Sequence, residues 1–152
     1  MKIELKPIAF VKNSRNAAED DNLGNVISEI TLAGGMSEES LNEIEKFSHL
    51  EIIFFFDKIK PEEIVYDSRY PRNNNNWPKV GIFAQRGRAR PNRIGVTVVT
   101  FVERKGKTIF VKGLDAINGT PVVDIKPVIK EFLPKGEIKQ PEWSKELMKK
   151  YW

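Results

Sequence analysis

Apolar and polar positions in this chain mostly alternate with the two-residue period of half-buried strands, and only two stretches carry the 3.6-residue period of a helix. Leu5, Pro7, Ala9 and Val11, set against Lys6 and Lys12, predict a first strand that ends near Lys12. Val26, Ser28, Ile30 and Leu32 share one face of a second strand, which Gly34 and Gly35 close by allowing positive φ. The run His49–Phe56 (HLEIIFFF) is so densely apolar that it predicts a short strand buried on both faces. Further strands are predicted at Val80–Ala84, Ile94–Val102, Thr108–Lys112 and Pro121–Ile125. Lys105-Gly106-Lys107 supplies one turn. Asn118-Gly119 predicts a type I′ hairpin, because both central positions of that turn need positive φ.

The helical signals are short. Leu41, Ile44 and Phe47 form one apolar stripe, with Ser37 or Ser40 as cap and Ser40 and Glu43 at capping-box spacing. Pro141 precedes a second, Trp143–Trp152, with Ser144 as its expected cap and Leu147, Met148 and Tyr151 as its apolar positions. Two polar stretches separate the strands. Asn13–Asn25 reads as either an ordered binding loop or a solvated connection, and Asp67–Pro78, with its prolines and four consecutive asparagines, reads as a long irregular connection. At least six short strands and few helices predict a mainly β protein, a small β-barrel with one or two short peripheral helices. At 152 residues one domain is expected, with its core at about 3–130, a tail or helix over 131–152 and no separate C-terminal domain.

Composition narrows the chemistry. With 40% hydrophobic and 30% charged residues a packed core is expected. The absence of cysteine removes thiolate chemistry, and a single histidine cannot build a histidine-rich cage, so no metal is expected. That residue, His49, reads as a structural histidine rather than a general base. No apolar run approaches membrane-spanning length and the N-terminus alternates, so the expected partners exclude a membrane and the expected location is cytoplasmic. The Gly-rich and catalytic signatures GxGxxG, GxxxxGK[ST], GxSxG and HExxH are missing, which argues against a doubly wound nucleotide fold.

Charge is concentrated in one place. The net charge is +4, but Arg69, Arg72, Lys79, Arg86, Arg88, Arg90 and Arg93 stand in a stretch free of acidic residues after Asp67. Within it, GIFAQRGRARPNRIG (Gly81–Gly95) combines four arginines with the rigid Pro91. Read alone it is a binding turn for an anion or RNA, or a solvated basic turn.

Three segments give this stretch a context. Gly81–Gly95 resembles the GxFATRSPxRPNPIG signature of the TsaA-like (TrmO-type) family. GLDAINGTPVVDIKPVI (Gly113–Ile129) is similar to that family's second signature, and IEKFSHLEIIFFFDK (Ile44–Lys58) to its LExFSHLWVLFxFH segment. The resemblance implies a small barrel rather than a Rossmann fold, S-adenosyl-L-methionine as cofactor, and N6-methylation of threonylcarbamoyladenosine beside the tRNA anticodon. It also implies a homodimer with the cofactor near the subunit interface.

Carried over by position, the resemblance assigns Phe56, Asp57, Arg86, Ile94, Leu114, Asp115, Ala116 and Ile117 to the cofactor. Arg86 would pair with the cofactor's carboxylate or anchor a neighbouring loop. Asp115 would serve the adenosine part or cap the Asn118-Gly119 turn. Asp124 and Lys126 would be the catalytic pair, or an exposed ion pair, on one side of their strand. Arg72, Arg88, Arg90, Asn92 and Arg93 would meet RNA, which on this reading contacts the barrel itself. The chain departs from the family pattern at Asp57, where a histidine is usual, and at Gln85, Gly87, Arg88, Arg93 and Val128.

Overall fold

A computed structural model describes all residues, Met1–Trp152. Six strands close into a barrel: β1 (Ala9–Lys12), β2 (Ile27–Leu32), β3 (His49–Phe55), β6 (Ile94–Lys105), β7 (Thr108–Lys112) and β8 (Pro121–Pro127). Around the barrel their order is β1-β2-β7-β6-β3-β8, every pair antiparallel, with β8 returning to β1. Two short strands, β4 (Ser68–Arg69) and β5 (Val80–Gly81), make a separate ribbon. One α-helix, α1 (Glu142–Met148), lies in the tail. The rest of the helical structure is single 3₁₀ turns.

The alternation that predicts the strands also builds the core. Ala9, Val11, Ile30, Leu32, Leu50, Ile52, Phe54, Val99, Ile109, Val111 and Val122 point inward, and Leu41, Leu114 and Ala116 join them. β6 is long enough to pair through its first half with β3 and through its second with β7, so one strand bridges two neighbours and helps close the cylinder. Gly95 faces inward opposite Phe54, where a Cβ would lie 2.5 Å from the Phe54 ring and 2.8 Å from that of Phe56. Its missing side chain lets these two rings meet edge to face at 5.3 Å.

Several local expectations are corrected. β3 alternates, with Leu50, Ile52 and Phe54 buried and Glu51, Ile53 and Phe55 half-buried, so only one of its faces belongs to the core. β1 begins at Ala9 rather than Leu5. The Leu41–Phe47 stripe folds as two 3₁₀ turns, Glu38–Leu41 and Ile44–Lys46. They break at Glu43, whose φ of 71° excludes the capping box, and Ser37 is the cap. β structure at Val80 stops at Gly81, and Ile82–Ala84 is a 3₁₀ turn. Asn118-Gly119 turns the chain with only Gly119 at positive φ, and it joins no hairpin, since β7 pairs with β2 and β6 whereas β8 pairs with β1 and β3. Ser144 lies inside α1, donating from its hydroxyl to the Pro141 carbonyl instead of capping. The turn expected at Lys105-Gly106-Lys107, in contrast, is there, as a two-residue connection with Lys105 opposite Thr108.

Candidate functional site

The basic segment is held by its own arginines. Arg90 donates to the Gln85 carbonyl at 2.8 Å, and Arg93 donates to the Ile59 carbonyl at 2.6 Å while its guanidinium lies 4.6 Å from the Phe55 ring centre. Asn92 and Arg93 both sit at positive φ, so the Arg90-Pro91-Asn92 turn is fixed by backbone as well as side chains. Arg72 is likewise engaged, bridging the Asp20 carbonyl and the Asp21 carboxylate at 3.1 Å each. Of the five arginine and asparagine positions expected to meet RNA, Arg88 and Asn92 are exposed and make no side-chain hydrogen bond, whereas Arg72, Arg90 and Arg93 are committed within the chain.

Arg86 reaches across to β6 and donates to the Val96 carbonyl at 2.7 Å. This is the anchoring role, yet it leaves most of the guanidinium's donors free. From this corner of the barrel Arg86 acts as the weakest of the charges on Asp115 of the second signature. Phe56, Asp57 and Ile94 flank the same segment: the Phe56 amide donates to the Arg93 carbonyl at 2.8 Å, and Asp57 pairs with Lys58 at 2.9 Å.

The second signature contributes its side chains unequally. Leu114 and Ala116 turn into the core, so that stretch offers a ligand its backbone, Ile117 and the Asp115 carboxylate. Asp115 does not cap the Asn118-Gly119 turn. Its Oδ2 accepts the Tyr151 hydroxyl, and its Oδ1 has no partner within the chain. Burial pushes the Asp115 carboxyl above the usual carboxylate range, the Tyr151 bond and the positive charges of Arg15 and Arg86 pull it down, and Asp20 adds to the rise. Tyr151 is itself raised, by burial first and then by the charge of Asp115.

The loop Asn13–Asn25 is ordered against this corner. The Asn13 amide donates to the Ser28 hydroxyl and the Ala116 carbonyl, each at 2.9 Å, and Asn118 donates its backbone N–H to the Arg15 carbonyl at 2.7 Å. These bonds carry Arg15 to the site, where its Nε is buried without a hydrogen-bond partner. Arg15 and Tyr151 are the residues that sequence reasoning missed. Arg15 belongs to no spacing pattern and Tyr151 stands only as an apolar position of the expected tail helix; each reaches Asp115 from more than thirty-five positions away only because a loop and a tail fold over the barrel end.

Asp124 and Lys126 stand elsewhere. They project from the outer face of β8, across from Ile53 and Glu51 of β3, and pair at 2.7 Å. Asp124 also accepts the Ile125 amide at 2.9 Å and borders an apolar cleft of about 290 Å³ that Met36, Ile44 and Phe47 help line. The hydrogen bond and charge of Asp124 raise the Lys126 pKa, so Lys126 is held cationic. Neither residue is among the charged groups around Asp115. No group of three or more His, Asp or Glu side chains is arranged to hold a metal, and no helix is long and apolar enough to cross a membrane.

Comparison with known proteins follows the same outline. An S-adenosyl-L-methionine-binding protein of Archaeoglobus fulgidus is 30% identical over 126 residues, covering 80% of this chain and 86% of that one. Human tRNA (adenine(37)-N6)-methyltransferase is 38% identical over 104 residues, covering 68% of this chain and 23% of that protein. A crystal structure of TrmO from Pseudomonas aeruginosa superposes with a TM-score of 0.73 at 22% identity, covering 91% of this chain and 62% of the other, and so shares the fold. Other archaeal relatives are longer, this chain spanning 48% of one and 23% of another. A family model, the tRNA-methyltransferase O N-terminal domain, matches residues 11–132, which include the barrel from Val11 onward, the arginine segment and Asp115. The chain belongs to the tRNA-methyltransferase O N-terminal domain family.

Proposed function

We propose that this chain is the catalytic domain of an S-adenosyl-L-methionine-dependent methyltransferase that modifies N6 of a threonylcarbamoyladenosine next to a tRNA anticodon. The observation that carries the reading is the family match across both signatures, with Arg86 seated on β6 by one of its donors and Asp115 keeping Oδ1 free. The donor set there fits the cofactor. Arg86 and the unpartnered Nε of Arg15 suit its carboxylate, and the free Oδ1 of Asp115 suits a ribose hydroxyl. When bound, the cofactor supplies a methyl group on a sulfonium.

The protein's share is to bind and to orient. Asp124 and Lys126, the expected catalytic pair, hold each other on the outer face of β8, apart from the charged groups around Asp115, and we read them as an exposed ion pair. The acceptor RNA would lie over Arg88, which is exposed beside two exposed aromatics, Phe83 and Tyr66. Backbone bonds from Ile82 to Asp67 and from Val65 to Ala89 bring these residues together, and bases freed from a helix stack on such surfaces. A second copy of the chain would cover the outer face of β6, where Val96, Val98 and Val102 are exposed beside Ile53.

The decisive experiment incubates the protein with methyl-labelled cofactor and tRNA bearing threonylcarbamoyladenosine. The expected product is the N6-methylated nucleoside after digestion. Absence of label in that tRNA at saturating cofactor, with label in another RNA, would move the acceptor; absence in all of them would remove the activity.

A further inference from the structure

The tail lies outside the matched family region, which ends at residue 132, yet it reaches the centre of the site. Three anchors fix its path. The amides of Asn22 and Leu23 donate to the carbonyls of Lys150 and Tyr151 at 2.8 Å each, and the Trp77 indole N–H donates to Glu146 Oε2 at 2.7 Å. Trp152 packs its backbone against Gly24, where a Cβ would come within 2.9 Å of the Trp152 carbonyl carbon. The Tyr151 ring is clamped between the Trp152 ring, 4.9 Å away edge to face, and the Arg72 guanidinium at 5.8 Å.

This clamp aims a single polar atom, the Tyr151 hydroxyl, at the Asp115 carboxylate. It is the only hydrogen-bond donor that Asp115 has within the chain, although Arg15, Arg86 and Asp20 face it at longer range and Arg72 and Asp20 face Tyr151. A largely buried carboxylate with one fixed oxygen presents the other in a defined direction. Without the hydroxyl it would be free to turn towards Arg15 or Arg86 and would take up a proton more readily.

We propose that Tyr151 is a positioning residue of the cofactor site: its hydroxyl holds Asp115 through Oδ2 so that Oδ1 is presented to a ligand hydroxyl, which makes the tail a working part of the pocket. The inference rests on the reading of Asp115 as a cofactor contact. It assigns the tail a role in binding, with no direct contact to the methyl acceptor.

The test measures S-adenosyl-L-methionine binding by calorimetry on the full chain from pH 5 to 8.5, for wild type, Tyr151→Phe, Asp115→Asn, the double variant and Trp77→Phe. Tyr151→Phe should weaken binding about tenfold at neutral pH, the loss expected for one hydrogen bond to a charged group. Because the ionised Asp115 is the binding form, affinity falls as pH drops through its pKa, and in Tyr151→Phe that fall should begin at higher pH. In the Asp115→Asn background Tyr151→Phe should add nothing, a result that general loosening of the fold would not give. Trp77→Phe, which frees another anchor of the tail, should leave the pH midpoint in place. Wild-type affinity and midpoint in Tyr151→Phe, tighter binding in it, additivity with Asp115→Asn, or an equal midpoint shift in Trp77→Phe would each overturn the proposal. Unchanged binding in Asp115→Asn would overturn the underlying reading instead.

Discussion

Asp115 is placed at a cost to the fold. Burial raises its pKa, so the folded chain holds the proton more tightly than the unfolded chain does. The stability this contributes is fully present below the ordinary carboxylate pKa and is lost as pH rises through the raised value. Asp115→Asn should therefore melt higher than wild type at pH 7 to 8, by about 2–4 °C for each kcal/mol relieved, and the gain should vanish near pH 4. Thermal unfolding across that range checks it, and equal melting at both ends would refute the assignment of Asp115 as a burdened charge. Arg86→Ala should weaken the cofactor by about 1.5–3 kcal/mol if its free donors pair with a carboxylate. The loss of its Val96 bond alone would change stability and leave affinity in a folded variant untouched.

Among the elements, β6 explains most about the barrel, and Gly95 is its most constrained point. Gly95→Ala should destabilise the protein by about 1–3 kcal/mol, since the new methyl collides with two packed aromatic rings rather than a flexible side chain. Chemical denaturation would show it as a lower midpoint with an unchanged slope. The strands were legible because burial on one face writes itself into a two-residue alternation, as in Ile30 and Leu32 or Leu50, Ile52 and Phe54. The apolar density of His49–Phe56 obscured that alternation, because Ile53 and Phe55 are apolar yet lie on the outer face beside β6. The Ser40–Glu43 spacing looked like a helix start, but Glu43 adopts a left-handed conformation and the chain needs only two tight turns there. Asn118-Gly119 is a local pairing signal in the sequence, whereas the strands on either side of it find partners far away in sequence.

For the whole molecule, the site was legible where the chain carries it in short motifs and silent where folding assembles it. Arg86 and Asp115 stand in recognisable segments. Arg15 comes from a polar loop without a pattern and Tyr151 from a tail whose apolar stripe says nothing of chemistry, and only closure of the barrel end makes them neighbours of Asp115. Assembly has its own test: Val98→Glu should leave a proposed dimer monomeric in light scattering, because it puts a charge in the centre of the exposed valine face. An unchanged mass would show that this face is not the one buried. The path of the tail also has an optical consequence. All three tryptophans are bound up with it: Trp143 and Trp152 lie within it, and Trp77 is tied to Glu146, while no barrel strand contains one. Intrinsic tryptophan emission from this protein therefore reports on the tail and its seat, so a spectral change on adding a ligand, or an early step in a melting curve, registers the tail leaving while the barrel behind it stays folded and dark.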